Sequence, residues 1–227
     1  MKINGSAALV SGANRGLGKA YARELVKRGA ARVYGAARDP ATVTEPGVTP
    51  IALDVTDPER AAQVAAQCAD VTLLVNNAGV MAASTFIGAP NLDAARLEME
   101  TNYFGTLRMC RAFAPVLAAN GGGAIVNVLS VTSFYTNPFN ASYGASKAAA
   151  WSLTNGVRLE LHHRAPSWSP CTPASSTPTW PRWSTRPKSA RNRLPSRSST
   201  PSRPTGSKCS PTSGPGSSRH RCRTITS

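Results

Sequence analysis

Five short, largely apolar runs alternate with helical stretches between residues 7 and 162, and no other feature constrains the fold as much. The runs cover residues 7–10, 32–36, 49–53, 71–75 and 124–129. Their apolar residues are consecutive, not alternate, so both faces of each strand need cover. Between the first two runs, Leu17, Ala20, Tyr21, Leu25 and Val26 repeat at helical spacing until Gly29 stops them. Pro58 suits the first turn of a helix that reaches about residue 69. A long, somewhat irregular helix is expected over about 92–118, before Gly121-Gly122-Gly123, and a second over about 142–162. The pattern predicts an α/β fold: a doubly wound parallel sheet, helices on both sides in three layers, in a single domain.

Charge divides the chain. It carries 26 basic and 11 acidic residues, a formal net charge of +15. All 11 acids lie between Glu24 and Glu160, while residues 164–227 hold 12 Lys and Arg, no acid and 11 of the 18 prolines. The only large aliphatic residues in that stretch are Leu194 and Ile225. Such a composition cannot offset the entropy of ordering. Residues 1–163 are therefore read as the folded, catalytic domain, and 164–227 as a basic, Pro/Ser/Arg-rich, disordered tail.

No apolar run approaches the roughly 18 residues of a membrane span. Met1-Lys2-Ile3-Asn4-Gly5 leads straight into the first strand without a signal-peptide pattern, so a cytoplasmic protein with no membrane partner is expected. Cys68, Cys110, Cys171, Cys209 and Cys222 form no CxxC pair and read as buried or idle thiols. No metal site is expected. His162-His163 lacks a third ligand, and Cys209, His220 and Cys222 have no zinc spacing.

Ser11-Gly12-Ala13-Asn14-Arg15-Gly16-Leu17-Gly18 joins the first strand to the first helix. Its glycines permit a tight turn and close backbone approach, and the helix N-terminus offers free N–H groups to a pyrophosphate. After the second strand comes Ala37-Arg38-Asp39. An acid at Ala37 would grip a ribose 2′-hydroxyl, whereas arginine favours a 2′-phosphate. Arg38, with Arg15 in the loop, therefore favours NADP over NAD. Were the strand to end later, Asp39 would become the ribose acid and NAD would be the cofactor. Tyr143-Gly144-Ala145-Ser146-Lys147 heads the last helix, and its spacing of four puts phenol and ammonium on one face. A free tyrosine is a poor base at neutral pH, and a nearby cation stabilises its phenolate.

These motifs, with Asn76-Asn77-Ala78-Gly79 after the fourth strand and Asn102 in Thr101-Asn102-Tyr103-Phe104-Gly105, resemble the short-chain dehydrogenase/reductase family. The loop spacing G-x-x-x-G-x-G is that family's, and the motifs follow its order over residues 7–161. The resemblance implies a Rossmann-type sheet of order 3-2-1-4-5 and hydride transfer between NADP(H) and a carbonyl or alcohol substrate. It implies cofactor contacts from Ser11, Gly12, Asn14, Arg15, Gly16, Leu17, Gly18 and Arg38. Asp54 and Val55 would lie beside the adenine, and Asn77, Ala78 and Gly79 would pass close to the cofactor. Tyr143 is then the acid/base. Lys147 lowers its pKa and holds the nicotinamide ribose. Ser130, thirteen residues before Tyr143, bonds the substrate oxygen, and Asn102 supports a water-mediated proton path. Ser133 sits at the wrong spacing for Ser130's role. Leu129 stands where a second serine is common. Family members form dimers or tetramers through the two long helices.

After Arg164 the resemblance fails, because nothing there can supply a sixth strand, a Pro-Gly turn, a substrate loop and a seventh strand. One explanation is a slip of reading frame near residues 163–167. In a shifted frame the codons from Trp168 to Pro181 can spell Val-Ser-Val-His-Pro-Gly-Phe-Ile-Asp-Thr-Asp-Met-Ala, which restores a strand, a Pro-Gly turn and a Thr-containing loop. Native sequences agree locally with their fold, and this stretch does not, so the frame slip is the favoured reading. The chain as written is then expected to be poorly soluble, with an open sheet edge at strand five and little activity. The rival readings are a non-catalytic NADP-binding protein and a polyanion-binding protein that acts through the tail. Trp168, Trp180 and Trp183 among arginines resemble a stacking surface. The frame slip accounts for them more simply, and nucleic acid is not the expected partner.

Overall fold

The computed structural model describes residues 2–164. The expectations for the tail from Ala165 onward, including the frame slip and Cys171, Cys209 and Cys222, lie outside the described residues. Five strands form one parallel sheet: β1 (Ala7–Ser11), β2 (Arg32–Ala37), β3 (Val48–Ala52), β4 (Leu73–Asn76) and β5 (Ala124–Asn127). Their order is β3-β2-β1-β4-β5, as the alternation and the resemblance lead one to expect. β1 is central, with Val10 opposite Gly35 on one side and Val75 on the other. Among the described residues β3 and β5 are the edges. Pro50 sits in β3, where a missing N–H is tolerated.

The helices are α1 (Gly16–Lys27), α2 (Pro58–Gln67), α3 (Asp93–Glu98), α4 (Thr106–Ala119) and α5 (Ala141–Arg164). Gly29 ends α1 at φ +77°. Its N–H reaches Val26 O and that of Ala30 reaches Leu25 O, the paired bonds of a Schellman cap. Asp57 starts α2 by accepting from the amides of Glu59 and Arg60, with Pro58 in the first turn. Successive β1 side chains face opposite layers. Leu9 joins Leu74, Val64, Met109, Phe113 and Leu117 beneath α2 and α4, whereas Ala8 and Val10 join Ala22 and Leu25 of α1. Phe113 is completely buried, and cutting it to alanine would cost about 3–5 kcal/mol.

Several boundaries differ by one or two residues from those expected, and two of the shifts have a plain cause. β4 begins at Leu73, not Val71, because the Val71 amide turns back onto Cys68 O. β5 stops at Asn127, not Leu129, because its partner β4 ends at Asn76, directly opposite. The irregularity expected within 92–118 is a π-helical stretch, Met99–Gly105, between α3 and α4. Cys68 and Cys110 are buried free thiols. Burial pushes them up to about 11 and about 12, so both stay protonated at neutral pH. Among the described residues no helix is long and apolar enough to cross a membrane, and no cluster of three or more metal-binding side chains occurs.

Candidate active site

The sheet order reverses between β1 and β4, and the crevice beyond their C-terminal ends is where open α/β sheets bind ligands. Two loops are stapled together there. Ser11 Oγ accepts from the backbone amides of Asn77 and Ala78, both at 3.0 Å. In return Asn77 Nδ2 donates to Ser11 O (3.0 Å) and Gly12 O (3.2 Å). The close approach explains the glycines. Gly12 sits at φ +67°, and a Cβ there would lie 3.1 Å from Ala78 Cα. At Gly18 a Cβ would collide with Gly12 O and the Asn77 amide. Gly16 opens α1 at φ +54°. Arg15 is the N-cap but offers no side-chain bond, so it does not satisfy the first amides of α1. Asn14 is half-buried, and Leu17 is exposed on the first turn.

β2 ends at Ala37, so Arg38 is the first residue beyond the strand and is exposed. Asp39 accepts from Ala41 N and caps the turn Pro40–Thr42. Its carboxylate is therefore occupied with local structure. Asp54 Oδ1 accepts from the amide and hydroxyl of Thr56 (2.9 and 2.7 Å). Burial pushes its pKa up, but the Thr56 donors and the Arg38 charge outweigh that and leave it below the usual value. Val55 is buried, and a Cβ on Gly105 would meet its Cγ2.

A second group of residues gathers beside Gly79. Asn102, fully buried in the π-helical stretch, accepts from Val80 N and donates to Val80 O, both at 2.9 Å. It also donates to Ser146 Oγ (2.9 Å), which in turn donates to Tyr143 O (2.7 Å). A Cβ on Gly79 would lie 3.0 Å from Asn102 Oδ1 and 3.5 Å from Lys147 Nζ. Lys147 is 5% exposed, donates to Val128 O (2.9 Å) and lies 5.8 Å from the Tyr143 ring centre. Burial lowers its pKa to about 8, so it remains mostly charged at neutral pH.

Ser130 caps the turn Val131–Ser133. Its Oγ accepts from Thr132 N (3.2 Å) and Thr132 Oγ1 (2.9 Å), while Ser133 Oγ accepts from Ser130 N (3.3 Å). Two donors orient the Ser130 oxygen and leave its own hydrogen for another acceptor. That turn packs on the head of α5, where a Cβ on Gly144 would sit 3.3 Å from Thr132 O.

Sequence reasoning missed Ser146, Thr132 and Glu98. Ser146 lay in view between Tyr143 and Lys147, as a hydroxyl able to bond back along its helix. Glu98 gave a fainter signal: an acid one turn before Asn102, on the same side of the helix.

A glycine loop at the switch point, with a tyrosine–lysine helix beside it, marks a Rossmann-type α/β fold. A family model of the short chain dehydrogenases matches residues 6–174, and the chain belongs to that family. A short chain dehydrogenase of Burkholderia cenocepacia, crystallised in complex with NADP, is 44% identical, with a TM-score of 0.72 over 76% of this chain and 72% of that one. Sorbitol dehydrogenase of Cereibacter sphaeroides is 34% identical over 171 residues, 71% of this chain and 66% of that protein. NADP-dependent 3-hydroxy acid dehydrogenase of Schizosaccharomyces pombe is 30% identical over 173 residues, 70% of this chain and 67% of that protein. The chain spans 58% of another relative, the 3-ketodihydrosphingosine reductase of Bacteroides thetaiotaomicron, and so less than two thirds of this protein and of the sorbitol dehydrogenase.

Proposed function

We propose that the protein is an oxidoreductase that interconverts a carbonyl and an alcohol with NADP(H), using Tyr143 as acid/base. The observation that carries this reading is the buried Lys147 cation beside the Tyr143 ring, next to Gly79 and the Asn102 network. The cofactor-binding residues fit a dinucleotide. Gly12 and Gly18 admit no side chain, and the first amides of α1 are left without a side-chain cap. Arg38 and Arg15 would take the 2′-phosphate, and the engagement of Asp39 with Ala41 speaks against a ribose acid there. Relatives named for NADP support the same choice.

When bound, the nicotinamide gives or takes the hydride. The protein's part is protonic. In the reducing direction the Tyr143 hydroxyl gives its proton to the substrate oxygen as negative charge develops there. The Lys147 ammonium, fixed on Val128 O, offsets the charge left on the phenolate. Ser130 donates its free hydrogen to the same substrate oxygen. Asn102 fixes the segment beside Gly79, next to Lys147 Nζ.

We read residues 164–227 as out of frame and expect the chain as written to be impaired, and an intact version to be a cytoplasmic homo-oligomer. The test is to resequence the coding DNA for Glu160–Trp168, express both the chain and any repaired frame, and follow NADPH consumption over a panel of aldehydes and ketones. Turnover by the repaired frame, lost in Tyr143→Phe, is the expected result. NADPH binding without turnover on any substrate points instead to a non-catalytic cofactor-binding protein.

A further inference from the structure

Glu98 is a completely buried acid that the chemistry above does not use. Its Oε1 accepts from the amide of Ala82 (2.7 Å), and its Oε2 is buried without a partner. Keeping a carboxylate there is costly, since a buried polar atom without a partner loses its hydration. Glu98 and Asn102 lie four residues apart on one side of the α3–π-helical stretch and grip neighbouring points of one segment. Asn102 holds both backbone atoms of Val80, and Glu98 holds Ala82.

Ala83 follows at φ +54°, the one non-glycine residue with positive φ among the described residues. Left-handed backbone is unfavourable for alanine and persists only when its surroundings enforce it. The kink turns Ser84 O toward the head of α5, where it accepts from Ser142 N (3.3 Å) and Ser142 Oγ (3.4 Å). The amides of a first helical turn have no partner within the helix, so Ser84 supplies a cap from a distant part of the chain. The next residue is Tyr143.

We infer that Glu98 is a positioning residue. It locks residues 80–84 as a strap that caps α5 through Ser84 and so sets Tyr143 in place. The proposal rests on the reading of Tyr143 as acid/base. The strap's hydrogen bonds run to Glu98, Asn102, Asn140 and Ser142 and not to the phosphate loop or Arg38, so losing the lock is expected to act on turnover more than on cofactor binding.

The test compares the full chain, or its frame-repaired version, with Glu98→Ala and Glu98→Gln by amide hydrogen exchange resolved to single residues. Glu98→Ala should speed exchange at Ala82 and also at Ser142, about tenfold or more, as fits the loss of a charge-assisted hydrogen bond. Glu98→Gln keeps an acceptor carbonyl and should hold both amides within about twofold of the parent. In steady-state kinetics Glu98→Ala should lower kcat about tenfold with the KM for NADPH unchanged, and Glu98→Gln should restore most of it. Faster exchange at Ala82 alone, equal loss in both variants, or a kcat that does not fall would overturn the proposal. If Glu98→Ala does not fold, Glu98→Asp replaces it with the same expectations, because its shorter side chain withdraws the acceptor. A frame-repaired parent that turns over no substrate refutes the proposed function instead, and the exchange at Ser142 then decides the strap by itself.

Discussion

The two halves of the proposed site are built by opposite means. The proposed cofactor corner, from Ser11 to Gly18 with Asn77, is specified by missing atoms: glycines let two backbones close on each other. The proposed catalytic corner is specified by costly atoms: Asn102, Ser146 and Lys147 are polar groups buried at or below 5% exposure. The first corner should therefore break when atoms are added and the second when atoms are removed. A site that must admit a large cofactor and also fix one proton uses both strategies within the span of a few side chains.

The largest effect belongs to the catalytic corner. Tyr143→Phe keeps the ring and removes the hydroxyl that carries the proton, so kcat should fall roughly 10²–10⁴-fold while NADPH still binds, as a fluorescence titration would show. An equally large loss of NADPH binding would mean that the two corners are not separable. Arg38→Ala should come next, weakening NADPH binding about ten- to a hundredfold and leaving NADH little changed, provided the guanidinium holds the 2′-phosphate. Equal losses for both cofactors would remove Arg38 from that role.

Gly18→Ala tests the corner made of missing atoms. The added methyl should destabilise the fold by about 1–3 kcal/mol and weaken cofactor binding, seen as a lower Tm and a higher Kd. An unshifted Tm would show that the staple can relax. Lys147→Met sharpens the contrast, because activity and stability should move apart. Burial lowers the Lys147 pKa from 10.5 to about 8, so the unfolded chain holds its proton more tightly than the folded one. Stability is therefore reduced below about pH 8 and rises as the pH climbs toward 10.5. The penalty relieved by methionine is on the order of 3 kcal/mol, partly cancelled by the lost bond to Val128 O. Turnover should collapse while the Tm at neutral pH holds or rises, and the parent's Tm should gain on the variant's above pH 8. Ser11→Ala, which leaves the amides of Asn77 and Ala78 unbonded, should cost about 1–3 kcal/mol, as much as Gly18→Ala, and lower the Tm accordingly.

Much of this could be read from the sequence, because the signals were local. A parallel, helix-covered sheet followed from doubly apolar runs between helices, its strand order from the family resemblance, and the tight turn after β1 from glycines at a strand–helix junction. Arg38 became a candidate because it follows Ala37, which stands where an acid would grip a ribose. What escaped was set by partners far along the chain. Periodicity cannot separate a π-helical stretch from an α-helix, so Met99–Gly105 read only as irregular. Glu98 looked like one more helix-surface acid, since nothing nearby reveals that Ala82 needs an acceptor. Strand ends were off by one or two residues, because the neighbouring strand decides where pairing stops.

The Ser11–Asn77 staple also sets a timetable. Its bonds span 66 residues, and the Asn102–Ser146 bond spans 44. Contacts so distant in sequence form only after loop closure has been overcome, and they slow folding relative to local structure. During synthesis the glycine loop emerges early but has no fixed shape until Asn77 has followed it. The glycine loop is thus among the first parts to be made and among the last to be finished.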